Sequence, residues 1–182
     1  MTDKRPASHV ELVPVDEDVL DELVVVATAD ADPDDVTPPL GVGWTVERIA
    51  WLRRFHRDRR VELAGGDEET MAVRVDGRIV GSTRLHRFSP DDPDALECGL
   101  WLGRSARGQG LSHAVLDLVM ARAVRASASR LIAHTTAGNA AALAALRHAG
   151  ATLEHCRGDA VLAVIDLQER PHETAAMSAG RD

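Results

Sequence analysis

The segment Arg107-Gly108-Gln109-Gly110-Leu111-Ser112 constrains the fold of this chain more than any other feature. It joins an apolar strand pattern at 95–102 to a helical pattern at 111–127, so it predicts a tight strand-to-helix turn. Glycines allow the backbone to turn sharply and to approach a ligand closely. The first turn of the helix adds unsatisfied N–H groups and the positive end of the helix dipole. This junction favours an anion such as a pyrophosphate, and Arg104 and Arg107 supply additional charged donors.

Two common phosphate-binding loops do not match this segment. A Walker loop requires a lysine directly after its last glycine, where this chain has Leu111. A Rossmann fingerprint requires a third glycine at the position of His113. Three interpretations therefore remain open from these residues alone: a cofactor-phosphate site, a site for an unrelated nucleotide, and a turn that binds nothing.

Strand and helix patterns alternate along the rest of the chain. Strands are predicted at 9–14, 70–75, 78–88, 95–102, 130–135, 151–156 and 161–167. Helices are predicted at 16–29, 45–60, 111–127 and 139–148, with a loop at 30–43 and a turn at 89–94. Asp76-Gly77 and Gly158-Asp159 are hairpin signals. The order β-α-α-β-β-β-α-β-α-β-β predicts one α/β domain over residues 9–168, between flexible tails at 1–8 and 169–182.

The first two helices differ in the character of their surfaces. The first has an apolar face formed by Val19, Leu20, Leu23, Val24 and Ala27. The second is predicted to bury Val46, Ile49, Leu52 and Phe55. It also carries a basic run, formed by Arg53, Arg54, His56, Arg57, Arg59 and Arg60. A solvated or salt-bridged face is the favoured interpretation of this run, and a patch for an anionic partner is the alternative.

The composition is that of a folded soluble protein, with 182 residues, of which 45% are hydrophobic and 27% charged. A net charge of −8 argues against binding to the backbone of nucleic acids. Cys98 and Cys156 form no CxxC pair and are expected to be reduced, buried thiols. No metal cofactor is expected. The chain shows no apolar run long enough for a signal peptide or a membrane span, which predicts a cytoplasmic protein without membrane contacts.

Three segments together resemble the GNAT acetyltransferases. Arg107–Ser112 is similar to the R/Q-x-x-G-x-G/A signature of that family, with Ser112 at the final position. Glu97–Leu102 resembles the E-I-G-Y-W-L strand of the branch that acetylates the N-termini of ribosomal proteins, with Leu100 in place of tyrosine. The segment 139–151 resembles the N-x-x-A/S … L-G-F segment of the family, with alanine in place of the final phenylalanine.

The resemblance implies a mixed, mostly antiparallel sheet flanked by about four helices, in which one parallel strand pair, 96–102 and 130–135, splays apart. Acetyl-CoA, the cosubstrate of the family, would lie in that gap. The implied cofactor contacts are Leu100, Trp101, Leu102, Arg104, Arg107, Gly108, Gln109, Gly110, Leu111, Ser112 and Asn139. Two of these residues have structural alternatives, since Trp101 could be a core aromatic and Asn139 a helix N-cap.

The amine acceptor of such an enzyme must lose a proton during the reaction. At pH 7 an α-amino group is neutral in roughly one molecule in ten and a lysine amine in roughly one in 2,500, so a lysine-like acceptor needs the better base. Glu97 is the first candidate base because it matches the glutamate of the family strand, and His86 and His134 are the alternatives. The usual acid of the family is a Tyr or a Ser after the Asn. Leu146 and Ala142 occupy those positions, and the chain contains no tyrosine.

The resemblance places the acceptor site between the first two helices, at about 30–44, and near the hairpin 156–160. The acidic residues of this loop, which either attract a cation or are simply solvated, are Asp30, Asp32, Asp34 and Asp35. We expect acetyl transfer to a primary amine, either a peptide α-amine or a small-molecule amine. The alternative is an acyl-CoA-binding module without turnover. A monomer and a homodimer are both compatible with the sequence.

Overall fold

The computed structural model describes residues 8–60, 62–63, 66–89 and 92–168, and of Phe88 and Ser89 it describes only the backbone. Apart from Ser8, the two tails inferred from the sequence lie outside the described residues. The strands are β1 (Val10–Pro14), β2 (Glu68–Val75), β3 (Arg78–Ser89), β4 (Asp92–Leu102), β5 (Arg130–Thr136), β6 (Thr152–His155) and β7 (Ala160–Asp166). The helices are α1 (Glu17–Asp30), α2 (Pro33–Val36), α3 (Val46–Arg57), α4 (Leu111–Arg125) and α5 (Ala140–His148). Among the described residues, no helix has the length and apolar character needed to cross a membrane.

The strands form one sheet in the order β1-β2-β3-β4-β5-β7-β6. The pairs β1–β2, β2–β3, β3–β4, β5–β7 and β6–β7 are antiparallel. The central pair, β4–β5, is parallel, and its register runs from Ala95 opposite Arg130 to Cys98 opposite Ala133. A mixed, mostly antiparallel sheet with one central parallel pair confirms the fold class inferred from the sequence.

Helices cover both faces of the sheet. One core lies under α4 and α5 and includes Leu96 and Leu102 of β4 and Leu131 of β5. The other core lies under α1 and α3, and Trp101 of β4 packs against it. Successive side chains of a strand point to opposite faces. Even-numbered residues of β4 therefore face α4, and odd-numbered residues face the side of α1 and α3.

Most elements lie within a few residues of their predicted bounds, and all five predicted apolar residues of α1 are buried. The segment 30–43 is not wholly a loop, because it contains the four-residue helix α2. The Asp32 side chain caps this helix by accepting a hydrogen bond from the backbone N–H of Asp34 at 3.0 Å, and Pro33 occupies its first turn. Helix α3 ends earlier than predicted, at Arg57. Strand β4 begins at Asp92, inside the predicted turn, of which residues 90 and 91 lie outside the described residues.

The buried face of α3 differs from the prediction. Leu52 is buried as expected, but Val46 is 79% exposed. The helix instead buries two polar side chains, Arg48 and His56, each 1% exposed. The Arg48 guanidinium is satisfied by the preceding loop. It donates to the carbonyl oxygen of Gly41 (3.2 and 2.7 Å), the hydroxyl of Thr37 (2.8 Å) and a carboxylate oxygen of Asp34 (2.6 Å).

The basic run at the end of α3 forms salt bridges, as the favoured interpretation of the sequence predicts. Arg57 and Arg60 both bind the carboxylate of Glu17, at 2.8 and 2.7 Å. Hydrogen bonds from these two guanidinium groups lower the pKa of Glu17 to about 2. Phe55 is only half-buried, stacked on Trp51 with ring centroids 4.7 Å apart, rather than part of the core as predicted.

Candidate active site

A cavity opens where the parallel strand pair ends. Beyond Cys98 and Ala133, β4 remains paired with β3 and β5 remains paired with β7, but the two strands no longer pair with each other. The resulting gap is part of a cavity of about 560 Å³. Its walls are completed by α4 and α5, which contribute Leu116 and Leu146, among others. The splayed pair is therefore a feature of the structure, and it is open to a ligand.

The gap connects the two faces of the sheet. On the side of α4 and α5 it is lined by Cys98, Leu100 and Leu102 of β4 and by Ala133 and Thr135 of β5. On the side of α1 and α3 it is lined by Gly99, Trp101, His134 and Thr136. A molecule bound under α4 can thus meet a second molecule that approaches from the opposite face.

The glycine segment forms the expected strand-to-helix junction at the open end of this cavity. Gly108 and Gly110 adopt left-handed backbone conformations, with φ of +73° and +76°. Gly110 is the N-cap of α4 and has no side chain to satisfy the N–H groups of the first turn. A Cβ atom at either glycine would meet no atom within 4 Å, so the space in front of both residues is empty. The free N–H groups of α4 are accordingly available to an anion.

The Arg107 side chain is held at this junction by two contacts within the protein. Its Nε donates to the carbonyl oxygen of Leu102 at 3.0 Å, and its Nη2 pairs with Asp35 at 2.9 Å. Both Arg107 and Asp35 line the cavity, and both are about half exposed. Arg104 lies 3.9 Å from Asp32 and does not line the cavity. The acidic segment 30–35 therefore contacts the arginines that were predicted to meet the cofactor.

A second contact fixes the turn between β4 and α4. Asp30, at the end of α1, accepts hydrogen bonds from the Ser105 hydroxyl at 2.5 Å and from the Ser105 N–H at 3.0 Å. These bonds lower the pKa of Asp30. Gln109 donates to the Ser105 carbonyl at 2.8 Å. The turn 103–110 is therefore held by α1 on one side and by its own glutamine on the other.

The cavity brings together most, but not all, of the residues inferred from the sequence. Those that line it are Leu100, Trp101, Leu102, Arg107, Gly108, Ser112 and Asn139, together with the candidate base His134. Those that do not are Arg104, Gln109, Gly110, Leu111, Glu97 and His86. The Leu111 side chain is buried in the core under α4, and the Gln109 side chain is hydrogen-bonded within the turn. Neither side chain therefore lines the cavity.

Asn139 and Trp101 both make the structural contacts that the sequence offers as alternatives to cofactor binding. The Asn139 side-chain oxygen caps α5 by accepting from the Ala142 N–H at 3.1 Å, while the residue also lines the cavity. Trp101 packs against the α1–α3 core and also borders the gap. Each residue therefore has a structural contact and a place in the cavity wall at the same time.

Glu97 and His86 meet on the sheet face opposite α4. They are direct cross-strand partners in β4 and β3, and the His86 Nδ1 atom lies 4.0 Å from a carboxylate oxygen of Glu97. This Nδ1 atom is buried and has no hydrogen-bond partner among the described residues. Glu68, the neighbour of His86 on β2, is instead occupied by Arg59 and Arg84. Among the described residues, Glu97 forms no ion pair with an arginine, which leaves its carboxylate available.

The structure adds Thr135 and Thr136, which the sequence did not single out, to the cavity wall, and it places Asp35 of the acidic loop there as well. The alternation of side chains along β5 from Ala133 could have indicated that Thr135 lines the cavity. The place of Asp35 in the cavity wall depends instead on how the loop folds back. The two cysteines also differ from expectation, because Cys156 is exposed. Burial and the nearby charge of Glu97 raise the pKa of the Cys98 thiol to about 12.

Comparisons with known proteins agree with this geometry. A family model described as an acetyltransferase (GNAT) domain matches residues 9–152. No curated protein sequence matches the chain significantly. A sheet with a splayed parallel pair beside an open glycine junction, together with this match, defines an acetyltransferase. The chain belongs to the GNAT acetyltransferase family, and by class it is an N-acetyltransferase.

Solved structures with the same fold include RimJ, RimL and YncA. RimJ of Mycobacterium smegmatis, in complex with a CoA disulfide, has a TM-score of 0.73 at 22% identity, covering 89% of this chain and 84% of that one. RimL, a ribosomal L7/L12 α-N-protein acetyltransferase in complex with CoA, has a TM-score of 0.69 at 19% identity, covering 88% and 95%. YncA of Salmonella typhimurium, solved with its cofactor acetyl-CoA, has a TM-score of 0.65 at 16% identity, covering 93% and 99%. At these identities the likeness shows a shared fold.

Proposed function

We propose that this enzyme transfers the acetyl group of acetyl-CoA to a primary amine, either a peptide α-amine or the amine of a small molecule. The observation that carries the proposal is the continuity between the splayed gap and the glycine junction within one cavity. An elongated cofactor with a phosphate at one end and a thioester at the other fits this arrangement. The CoA and acetyl-CoA complexes of the structural neighbours support the same donor.

In this proposal the pyrophosphate binds the backbone N–H groups of Gly108–Ser112. Gly110 and Leu111 contribute through their backbone, and Gln109 contributes by holding the turn. Arg107 keeps its bond to Leu102 and exchanges Asp35 for a cofactor phosphate, while Arg104 provides longer-range attraction. The Asn139 side-chain amide N–H₂ would reach the pantetheine arm while its oxygen continues to cap α5.

The pantetheine would lie between the splayed strands, along the backbone of Leu100, Trp101 and Leu102. On the β5 side these residues have no strand partner, because the β4–β5 ladder ends at Cys98. A backbone N–H group on that open edge can donate to the thioester carbonyl and stabilise the oxyanion that develops when the amine attacks. The substrate therefore completes hydrogen bonds that the folded chain leaves open.

Glu97 is our first candidate for the base, acting through water on the amine. It lies on the face opposite α4, and among the described residues its nearest ionisable partner is His86 rather than an arginine. His86 and His134 remain the alternative bases, and His134 lines the cavity itself. Because a larger fraction of an α-amine than of a lysine amine is neutral at pH 7, an α-amine acceptor demands less of the base.

Cofactor binding is tested by thermal shift with acetyl-CoA, using Gly110→Asp and a matched control, Gly158→Asp. Both glycines have φ near +75° and open space where a Cβ would lie, but Gly158 lies in the β6–β7 turn, away from the cavity. A carboxylate at position 110 would face the pyrophosphate, so we expect the acetyl-CoA shift to disappear in Gly110→Asp and to persist in Gly158→Asp. A normal shift in Gly110→Asp would contradict the placement of the pyrophosphate.

Turnover is tested by release of free CoA thiol across a panel of peptides, polyamines and aminoglycosides. Release with at least one amine is expected, and saturable acetyl-CoA binding without release would indicate a binding module instead. We expect Glu97→Gln to lower kcat at pH 7 and to matter less at pH 9, where more of the amine is already neutral. A loss that is the same at both pH values would show that Glu97 is not the base. The cytoplasmic location and the oligomeric state stay predictions from the sequence.

A further inference from the structure

The described part of the cavity wall lacks the usual acid for the second half of the reaction, in which the CoA sulfur leaves with a negative charge. The two positions that usually carry the acid, Leu146 and Ala142, do line the cavity. Neither side chain can donate a hydrogen bond. A side chain that stabilises the departing thiolate therefore has to come from another position of the same cavity.

Few polar side chains of the described cavity wall are suitable donors. Ser112 lies in the first turn of α4, at the phosphate end. The Asn139 oxygen caps α5, and its N–H₂ group is assigned to the pantetheine arm in the proposed function. Cys98 offers only a weak S–H donor, and a thiol donates less strongly than a hydroxyl. His134 and Thr136 point to the opposite face of β5. Thr135 is the donor that remains on the side of α4 and α5.

Thr135 stands at the point where the sulfur would arrive. The cofactor enters at the glycine junction with its phosphates, so its thioester end lies towards the closed end of the gap. That end is defined by the last parallel pair, Cys98 and Ala133. Thr135 is the next residue of β5 on the same face as Ala133. Its cross-strand partner on that face, Val161, is 1% exposed, so the sheet is covered beside Thr135.

The Thr135 hydroxyl is also available to donate a hydrogen bond to a ligand. Among the described residues it has no hydrogen-bond partner, although the residue is half-buried in the cavity wall. Thr70 and Thr83 of the same sheet, by contrast, use their hydroxyls to bind His56 and the Gly99 carbonyl. A hydroxyl in the cavity wall that makes no bond within the described chain can donate its proton to a bound ligand.

We propose that the Thr135 hydroxyl donates a hydrogen bond to the departing CoA thiolate, replacing the acid that the family usually provides. The inference rests on the proposed function. The amine nitrogen attacks the acetyl carbon, the C–N bond forms and the C–S bond breaks. The electron pair leaves with sulfur, and the proton of the ammonium passes to Glu97 or water. Thr135 keeps its own proton and stabilises the charge on sulfur.

The first test measures the thiol pKa of CoA bound as product, which needs neither an acceptor nor turnover. The ultraviolet absorbance of the thiolate is followed against pH as the difference between the CoA complex and the free enzyme. We expect bound CoA to titrate below free CoA in the wild type. Thr135→Val, which keeps the shape of the side chain, should raise the pKa of bound CoA by about one unit, a tenfold change. Equal values in both proteins would overturn the proposal.

The second test compares turnover. Thr135→Val should lower kcat by about 10- to 100-fold, the range expected for a lost hydrogen bond to a charged group, with little change in acetyl-CoA affinity. Thr135→Ser should restore most of the activity. Thr152→Val, at an exposed position of β6 that does not line the cavity, is the control and should retain wild-type kcat.

The outcomes of these tests separate the two proposals. A Thr135→Val variant with wild-type kcat, or a loss that serine does not rescue, overturns the role of Thr135 and leaves the acetyltransferase reaction intact. If CoA does not bind the wild type, the proposed function itself fails. Should valine prevent folding, Thr135→Ala provides the same two measurements, judged against its melting temperature.

Discussion

Acidification should weaken the fold through one buried histidine, His56. Its Nδ1 atom lies 2.9 Å from the hydroxyl of Thr70, and its Nε2 atom is buried without a partner among the described residues. Burial, followed by the positive charges of Arg59 and Arg60, lowers the pKa of His56 from 6.5 to about 4. The folded protein therefore keeps this ring neutral in a pH range in which the unfolded chain takes up a proton.

The sign and size of the effect follow from that difference. Above pH 6.5 the ring is neutral in both states and costs nothing. As pH falls from 6.5 towards 4, only the unfolded chain binds the proton, so the free energy of unfolding decreases. With pKa values of 6.5 and about 4, His56 should remove about 2 kcal/mol between pH 7.5 and pH 5. For a domain of this size, that corresponds to a fall in Tm of roughly 4–8 °C.

Urea denaturation between pH 7.5 and pH 5 measures the effect directly. His56→Asn retains a polar atom near Thr70 but cannot titrate, so its free energy of unfolding should change much less over this range. His155→Asn, at an exposed position of β6, is the control and should keep the wild-type slope. Glu17, whose pKa is about 2, loses its stabilising effect only as pH falls below 4.5, so it does not contribute to this window. A His56→Asn variant that retains the full pH slope would refute the reasoning.

Three further predictions concern single positions. Gly81→Ala would place a Cβ 2.1 Å from the Trp101 carbonyl oxygen, so we expect both a lower Tm and weaker acetyl-CoA binding, measured by calorimetry; a variant that melts and binds normally would contradict the close approach. Glu69→Gln removes the charge that holds Arg122 of α4 against β2. Because Glu69 is 3% exposed while Arg122 remains partly solvated, a loss of about 1–3 kcal/mol is expected in urea denaturation. Cys98, with its raised pKa, should react with a thiol reagent far more slowly in the folded than in the unfolded protein, and equal rates would show that it is accessible.

The parts of the fold that the sequence predicts are those set by local rules. The Asp76-Gly77 hairpin, the capped helix α1 and the strand-to-helix glycine junction each depend on residues that are neighbours in the chain. The splayed strand pair follows from the resemblance instead, because three linked segments share the order and spacing of the family.

The parts that the sequence misses depend on contacts between distant segments. Arg48 is charged, and a count of apolar residues assigns it to solvent, yet the loop 34–41 supplies the acceptors that allow its burial. The pairing of Glu97 with His86 follows from the register of β3 against β4, and no spacing in the sequence predicts that register. The same holds for Asp35, which reaches Arg107 only because α2 forms.

The bond between Asp35 and Arg107 has a consequence for how this enzyme could be redesigned. The loop 30–44, which the resemblance assigns to the acceptor site, is held against α3 by Arg48 and against the glycine junction by Asp35. A loop transplanted from a relative to change the acceptor would therefore also change the charge next to the proposed site of the cofactor phosphates. The exchangeable module is the whole segment 30–48, together with the arginine it contacts, and variation at Asp35 should be matched by variation at Arg107.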